Sequence, residues 1–144
     1  MIAKLKELWG MKATIANKAL KSKMKWLSRT GDPTYPMYDK LVFNKFKAAV
    51  GGKVRFMLTG SAPISKDVIN FLKVAICVPI YEGYGQTETC AGSTLTSSED
   101  PHAGHVGGPL PYNELKLIDV PEMDYYSTDD PPWGEICFWG FNCF

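Results

Sequence analysis

The sequence lacks a hydrophobic run long enough to cross a bilayer, because none of its apolar stretches approaches about 18 uninterrupted residues. Its four cysteines form no Cys-x-x-Cys pair and it has no Asn-x-Ser/Thr sequon, so nothing in it requires an oxidising compartment. The lysine-rich first 27 residues also lack the apolar core of a secretory signal. With 45% hydrophobic and 22% charged residues, the composition is that of a globular domain, which we expect to be intracellular.

Acidic and basic residues balance to a net charge of +1 but are unevenly distributed along the chain. Residues 1–75 carry 15 lysines and arginines against four acids, whereas residues 76–144 carry one lysine against 11 acids. A basic half attracts phosphates, nucleic acid or anionic lipid, but the opposing acidic half cancels its long-range field. Charge alone therefore identifies no ligand.

A lysine-rich amphipathic helix is predicted near the start of the chain. Its apolar residues recur every three or four positions, the period of one helical face: Trp9, Ala13, Ala16, Leu20, Met24 and Leu27. The lysines of this segment, including Lys23, lie mostly off that stripe. Such a helix lies on a membrane surface or directs a protein to an organelle, or else it packs on a larger protein. We favour packing, because any half-buried helix shows this pattern.

A β-loop-α-β unit is predicted after a turn-rich linker at 30–36. The linker leads into a helix over residues 38–50, and residues 54–59 form a short apolar segment typical of a buried strand. Ser65 can cap the next helix, and residues 77–81 have the character of a second strand. Two such strands in one sheet are expected to be parallel, with ligands beyond their carboxyl ends.

The rest of the chain is predicted to form antiparallel strands. Two short apolar stretches, 115–120 and 135–139, have strand character, and the segment 119–133 has the Asp-, Pro- and Tyr-rich composition of a surface loop. Cys77 and Cys137 fall in predicted strands, where a thiol behaves as a small hydrophobe. The predicted fold class is therefore α/β with a β-rich second part.

The segment YEGYGQTE (81–88), at the end of a predicted strand, has the densest set of ligand-binding groups. Tyr84 offers a flat ring for a nucleobase, Thr87 a hydroxyl for a phosphate oxygen, and Glu88 a carboxylate for Mg²⁺. Its two glycines let the backbone approach a ligand closely. The spacing matches neither the GxGxxG fingerprint nor a Walker A loop. A nucleotide fits this set, and so does the alternative of a tight turn with a capping threonine and an incidental acid.

Two other segments invite a functional interpretation. Gly60, Ser61 and Ala62 follow the preceding strand, so the parallel arrangement places their loop at the same sheet edge, although small residues also suit a plain strand-to-helix connection. His102 and His105 have no obvious third or fourth metal ligand nearby, and we interpret them as flanking a glycine turn rather than holding zinc.

The segment YGQTE (84–88) resembles the Y-G-x-T-E motif of adenylate-forming enzymes, and the surrounding sequence is similar to the long-chain fatty acyl-CoA synthetases in particular. Several segments occur in that family's order and approximate spacing: 38–45, 54–65, 81–88, 105–109 and 134–136. The resemblance covers residues 38–144, and residues 1–36 fit more loosely as the helical region before it.

This resemblance implies a two-step reaction, in which a carboxylate attacks the α-phosphate of ATP to give acyl-AMP and pyrophosphate, and coenzyme A then takes the acyl group. Tyr84 would stack on adenine, and Glu82 and Gly83 would bound its edge. Thr87 would contact the α-phosphate and Glu88 would hold Mg²⁺, both in catalytic roles. The implied nucleotide-site residues are Gly60, Ser61, Ala62, Glu82, Gly83, Tyr84, Gly85 and Thr87. The first three match a loop whose small side chains leave room for the acyl substrate.

The resemblance also implies that the chain is a middle slice of the family's large N-terminal domain, covering the end of an α/β subdomain and the start of a β-barrel subdomain. We expect residues 1–37 to be a lysine-rich helix and linker, 38–100 the α/β part with the nucleotide loops, and 101–144 the β-rich part. The family's phosphate loop, ribose-binding aspartate and adenylation lysine are expected outside the chain. The 144 residues alone are therefore expected to make no acyl-CoA.

The partners implied by the resemblance are ATP, Mg²⁺, coenzyme A and a long-chain fatty acid, without nucleic acid. The parent protein is expected to associate with a membrane through a segment absent here, on the cytoplasmic face of the endoplasmic reticulum, mitochondrial outer membrane or peroxisome. Two other function classes stay open: a catalytically dead nucleotide- or acyl-binding regulatory module, and a lipid-surface module built on the first helix. A phosphate loop upstream and a lysine-bearing domain downstream would distinguish the enzyme from these.

Overall fold

The structure is a computed structural model that describes residues 11–144, and its longest element is helix α1 (Met11–Thr30). The predicted apolar stripe is confirmed where it can be compared, because Ala16 and Leu27 are buried and Leu20 and Met24 pack against the core. Trp9 lies outside the described residues. The stripe faces protein in this structure, which agrees with a packed helix.

Lys23 departs from the expectation that the lysines of α1 lie off the buried face, since its side chain is fully buried. Its ammonium group forms an ion pair with the Asp39 carboxylate and donates to the carbonyl of Val74 over 2.8 Å. It also lies 3.0 Å from the Cys77 sulfur and 4.6 Å from the centroid of the Phe43 ring. A buried cation needs such partners, because an unpaired charge is costly away from water.

Three short helical segments follow the linker, as predicted for residues 38–50. Helix α2 (Pro36–Tyr38) continues into a π-helical turn (Asp39–Phe43) and then helix α3 (Asn44–Ala49). Gly52 ends the helix with a φ of +72°, and its N–H donates to the Lys47 carbonyl. Only a residue without a Cβ takes that conformation freely, which suits glycine to the end of this helix.

The predicted β-loop-α-β unit is present as strand β1 (Met57–Thr59), helix α4 (Lys66–Ile76) and strand β2 (Ile80–Tyr84). The strands are parallel, as expected, and their register pairs Met57 with Ile80 and Thr59 with Glu82. The predicted N-cap of α4 is confirmed, since the Ser65 hydroxyl accepts from the backbone N–H of Val68.

Two details of this unit correct the sequence predictions. The segment 54–59 is not a buried strand, since only residues 57–59 form a strand and Leu58 is 62% exposed. Among the described residues β1 pairs with β2 alone, so it is an edge strand. Cys77 is not in a strand but ends α4 in the left-handed conformation, with φ +60°. Burial raises the pKa of its thiol, and the hydrogen bond and charge of Lys23 oppose that shift.

The remaining strands are antiparallel, as predicted. The end of β2 pairs with β3 (Thr94–Leu95), and β3 pairs with β4 (Gly108–Pro109). Strands β5 (Asn113–Ile118) and β6 (Glu135–Gly140) form a hairpin whose register runs from Asn113 opposite Gly140 to Ile118 opposite Glu135. The residues between them include the segment 119–133, which was predicted to be a surface loop and contains one 3₁₀ turn at Pro121–Met123.

By its contacts the described chain divides into two compact units. The helical unit contains the described residues up to Glu82 together with Ser97–His105, and the sheet unit contains Gly83–Thr96 together with Val106–Phe144. The segment boundaries predicted from sequence, after residues 37 and 100, stay a prediction about the parent domain. Within residues 11–144, no helix is both long and apolar enough to span a membrane.

Candidate functional site

The loop Gly60-Ser61-Ala62 follows β1 in the helical unit and is exposed. Ser61 has a φ of +66°, the left-handed region that residues with a Cβ seldom occupy. Such backbone strain is found disproportionately at ligand-binding loops. The left-handed backbone at Ser61 therefore distinguishes this loop from an ordinary strand-to-helix connection and favours a functional interpretation.

Glu82 is the last residue of β2 that belongs to the helical unit, and it is 8% exposed. Its carboxylate accepts from the backbone N–H of Gly104 over 2.9 Å, which fixes the returning segment Ser97–His105 to the strand. The nearby Lys73 has its pKa lowered by burial, while the charges of Glu82 and Asp100 act in the opposite direction. The carboxylate of Glu82 thus has a structural task, and its role at the edge of adenine stays a prediction.

Tyr84 lies in the sheet unit at the end of β2, with its ring stacked on that of Phe138 at a centroid distance of 5.9 Å and an interplanar angle of 28°. The side-chain amide of Gln86 donates to the Tyr84 hydroxyl over 2.7 Å. These two contacts fix the plane of the ring. A nucleobase stacking on Tyr84 would use the face opposite Phe138, in the offset geometry that aromatic pairs prefer.

The loop 85–93 joins β2 to β3 and carries Thr87 and Glu88 in a single 3₁₀ turn, Thr87–Thr89. Both side chains are exposed, whereas Thr89 and Ser93 beneath them are buried. The Ser93 hydroxyl donates to the Thr89 hydroxyl over 2.7 Å, and the Thr89 hydroxyl in turn bonds the backbone of Gln86. The loop thus presents a hydroxyl and a carboxylate to solvent from a backbone that is fixed from below.

Glu88 fits a magnesium ion only together with a ligand that supplies further oxygens. Within residues 11–144, no group of three His, Cys, Asp or Glu side chains could hold a metal ion. Mg²⁺ is commonly bound by one or two carboxylates plus substrate phosphates and water, so a single exposed carboxylate beside a nucleotide suits it. The donor set therefore agrees with Mg²⁺ that arrives with a nucleotide and not with a resident metal cage.

Close backbone approaches in the sheet unit require glycine at position 85 and favour it at position 83. A Cβ on Gly85 would lie 1.9 Å from the Ala91 carbonyl oxygen, and one on Gly83 would lie 3.0 Å from the carbonyl oxygen of Thr94. The first distance cannot be accommodated without moving the backbone. In the structure the group that approaches these glycines is the chain itself, and the predicted approach of the backbone to a ligand stays a prediction.

If the full-length protein binds ATP through this loop, as the family resemblance implies, Gly85→Ala is expected to displace the loop and to raise the KM for ATP by about tenfold or more, because small displacements of positioning groups have large kinetic effects. Gly108→Ala is the matched control, since no heavy atom lies within 4 Å of a Cβ at that position. Steady-state kinetics at varied ATP measure the effect. An unchanged KM in a folded Gly85→Ala variant would contradict the role of the loop.

His102 and His105 both contact Asp100, at 3.0 and 3.1 Å, and flank Gly104, whose φ is +95°. The interpretation of this segment as a glycine turn is confirmed. Hydrogen bonds from the backbone and side chain of His102 hold the pKa of Asp100 below its usual value.

The predicted site residues fall in both units. Gly83 and Tyr84 at the end of β2 belong to the sheet unit, together with Gly85, Thr87 and Glu88 of the loop 85–93. Glu82 belongs to the helical unit with the residues of the loop after β1. Sequence reasoning missed the groups that support the loop 85–93: Phe138, Thr89, Ser93, Asn113 and Asn142. Asparagine is uncommon in strands, so its presence at the first position of β5 was the one sequence signal that could have pointed to a special role of Asn113.

A family model described as AMP-binding enzyme matches residues 14–144. Fatty acyl-CoA synthetase A of Dictyostelium discoideum is 48% identical over 135 residues, which are 93% of this chain and 20% of that protein. Peroxisomal long chain acyl-CoA synthetase 6 of Arabidopsis thaliana is 45% identical over 97% of this chain and 20% of its own length. Human long-chain-fatty-acid–CoA ligase 1 is 48% identical over 75% of this chain and 15% of its own length. The chain thus spans a fifth or less of these curated relatives.

Solved structures show the same fold. The A domain of carboxylic acid reductase from Segniliparus rugosus, in complex with AMP and a co-purified carboxylic acid, has a TM-score of 0.58 and 28% identity over 90% of this chain and 20% of that one. The adenylation domain of a carboxylate reductase from Mycobacterium chelonae has a TM-score of 0.57 and 27% identity over 91% of this chain and 19% of that one. The predicted fold class, α/β as in part of an adenylate-forming domain, is confirmed.

Proposed function

The chain belongs to the family of AMP-binding enzymes, and from this membership we propose that its parent protein activates a long-chain fatty acid with ATP and transfers it to coenzyme A. The observation that carries the proposal is the identity of 45 to 48% to long-chain fatty acyl-CoA synthetases over most of this chain. The neighbouring adenylation domain that holds AMP and a carboxylic acid supports the first step.

The loop 85–93 is proposed to hold the nucleotide. The fixed ring of Tyr84, directly before this loop, supports stacking on adenine, and the exposed hydroxyl of Thr87 can donate to an α-phosphate oxygen. Glu88 would hold Mg²⁺, which when bound neutralises charge on the phosphate oxygens. Gly60, Ser61 and Ala62 are proposed to border the acyl substrate, since these residues are small and exposed and leave space for it.

Charge stabilisation is the main chemical task of these residues. Attack of a carboxylate on the α-phosphate develops negative charge around phosphorus, and pyrophosphate leaves as a polyanion. Donors positioned in advance lower that barrier because they need no reorganisation as the charge develops. Thr87 sits on a loop with several internal hydrogen bonds, and this rigidity is what such a donor requires.

Substrates and location of the parent protein are part of the same proposal. Fatty acid, ATP and coenzyme A follow from the reaction, and membrane association would bring the enzyme to its lipid substrate. The endoplasmic reticulum, mitochondrial outer membrane and peroxisome are the proposed sites, and the relative from Arabidopsis thaliana is peroxisomal. In this chain, exposed lysines give helix α1 a basic surface, but the buried apolar stripe argues against insertion of this helix into lipid.

We expect the full-length protein to release pyrophosphate from ATP only when a long-chain fatty acid is present, and to form the acyl-CoA thioester when coenzyme A is added. Coupled pyrophosphate detection measures the first step and mass spectrometry of the products measures the second. Acetate at the same concentration is the control for chain length. Nucleotide binding without pyrophosphate release would contradict the proposal and would support the regulatory-module alternative.

A further inference from the structure

We propose that Asn113 and Asn142 are positioning residues that hold the loop 85–93 in the shape that presents Thr87 and Glu88 to the nucleotide. This inference rests on the proposed function for its kinetic consequence, but its structural part can be measured without it. The two side chains are called the amide clamp below. Both belong to the sheet unit, as does the whole loop.

Asn142 forms hydrogen bonds to the loop on both sides of Cys90 and Ala91. Its side-chain NH₂ group donates to the carbonyl of Thr89 over 2.7 Å and to the carbonyl of Gly92 over 3.2 Å. The backbone N–H of Phe144, two residues on, donates to the carbonyl of Glu88 over 3.0 Å. The segment after β6 therefore contacts the backbone of Glu88 and of its neighbour directly.

Asn113 bonds the end of the same loop from the first position of β5. Its NH₂ group donates to the carbonyl of Ser93 over 3.0 Å and to that of Gly92 over 3.3 Å. Each amide therefore places its nitrogen against two loop carbonyls. The orientation of both amides is fixed by this pattern, because a carbonyl oxygen in the place of either nitrogen would face two acceptors.

The position of the clamp depends on Gly140, which pairs with Asn113 across the β5–β6 hairpin. The side-chain oxygens of Asn142 and Asn113 lie 2.8 and 2.9 Å from the place where a Cβ would stand on Gly140. Both oxygens are buried, and neither has a hydrogen-bond partner among the residues that the structure describes. A side chain at position 140 would therefore collide with both amides of the clamp.

The loop needs an external support because its own backbone is unfavourable. Cys90 and Ala91 have φ values of +50° and +75°, in the left-handed region that residues with a Cβ seldom adopt. Strained residues persist where the surrounding structure over-determines them. Four donations from the amide clamp to the carbonyls at 89, 92 and 93 supply that constraint.

The test is Asn142→Asp in the full-length protein, which keeps the size of the side chain and replaces the donating NH₂ with an oxygen that faces two carbonyls. We expect faster hydrogen exchange confined to residues 85–93 and a rise of about ten- to a hundredfold in the KM for ATP. Asn44→Asp is the matched control, because Asn44 is exposed in the helical unit. A residue that served stability alone would reduce the folded fraction and leave the KM for ATP unchanged.

Asn142→Ala is the second variant, since it removes the donor without placing a negative charge on the carbonyls. Unchanged exchange in the loop, or an unchanged KM for ATP in both folded variants, would overturn the inference. Failure of both variants to fold would also overturn it, because the amide would then be a stability determinant. A wild-type protein that releases no pyrophosphate would overturn the proposed function and the kinetic role of the clamp, while hydrogen exchange would still decide whether the clamp holds the loop.

Discussion

Replacing Glu88 with glutamine in the full-length protein is expected to lower the rate of fatty-acid-dependent pyrophosphate release by about 10²-fold or more, the usual effect of losing one group that stabilises developing charge. Glutamine keeps the shape of the side chain and removes its charge. Because Glu88 is exposed and its backbone carbonyl already bonds Phe144, the substitution leaves the loop intact. Pyrophosphate release at varied Mg²⁺ and saturating ATP measures the effect.

Glu114→Gln provides the matched control for this experiment. Glu114 is an exposed residue of β5 in the same unit, so its substitution changes the net charge equally without touching the loop 85–93. We expect wild-type rates for this control at every Mg²⁺ concentration. Near-normal turnover of a folded Glu88→Gln variant would rule out the assignment of Glu88 as the metal-holding carboxylate.

The second large effect is expected for Asp39→Ala, which leaves the buried ammonium group of Lys23 without its carboxylate. Breaking a buried ion pair by removing one partner typically costs about 3–5 kcal/mol, because an uncompensated charge stays buried. The loss should be concentrated where Lys23 joins α1 to α4 through Val74 and Cys77. Native-state hydrogen exchange of α1 measures it as a loss of protection on the order of 10²- to 10³-fold.

Two further variants make this prediction specific. Asp129→Ala removes an exposed carboxylate, and we expect it to leave the protection of α1 unchanged. The double variant Lys23→Met with Asp39→Ala should recover much of the stability, because no unpaired charge then stays buried. Equal losses in the single and double variants would show that packing, and not the unpaired charge, controls this part of the core.

Local patterns predicted the helices and the hairpin well, but not the buried lysine. The stripe of α1 and the cap at Ser65 are visible within a few residues of sequence, whereas the partners of Lys23 lie 16, 51 and 54 residues away. A charged residue beside an apolar stripe has the pattern of a solvated side chain until those partners are known. Burial of β1 was overestimated for a similar reason, because it depends on neighbouring strands and not on the apolar character of the strand itself.

The candidate site shows the same division between local and long-range information. Tyr84, Thr87 and Glu88 are predictable because the chemistry of the loop is contained in eight consecutive residues. The groups that fix its shape are separated from it by 20 to 53 residues, as the contacts of Asn113 and Asn142 show. Sequence reasoning thus identified the groups proposed to meet the nucleotide, and the structure was needed to identify those that position them.

The division of the chain between the two units has a consequence for its synthesis. The helical unit is not complete until Ser97–His105 has been synthesised, and by then Gly83–Thr96 of the sheet unit has been synthesised as well. The bond from Gly104 to Glu82 must therefore close a loop that contains part of the other unit. Closing such loops carries an entropic cost that precedes the contacts it allows. Neither unit is a contiguous segment, so the helical unit can be completed only after part of the sheet unit has been made.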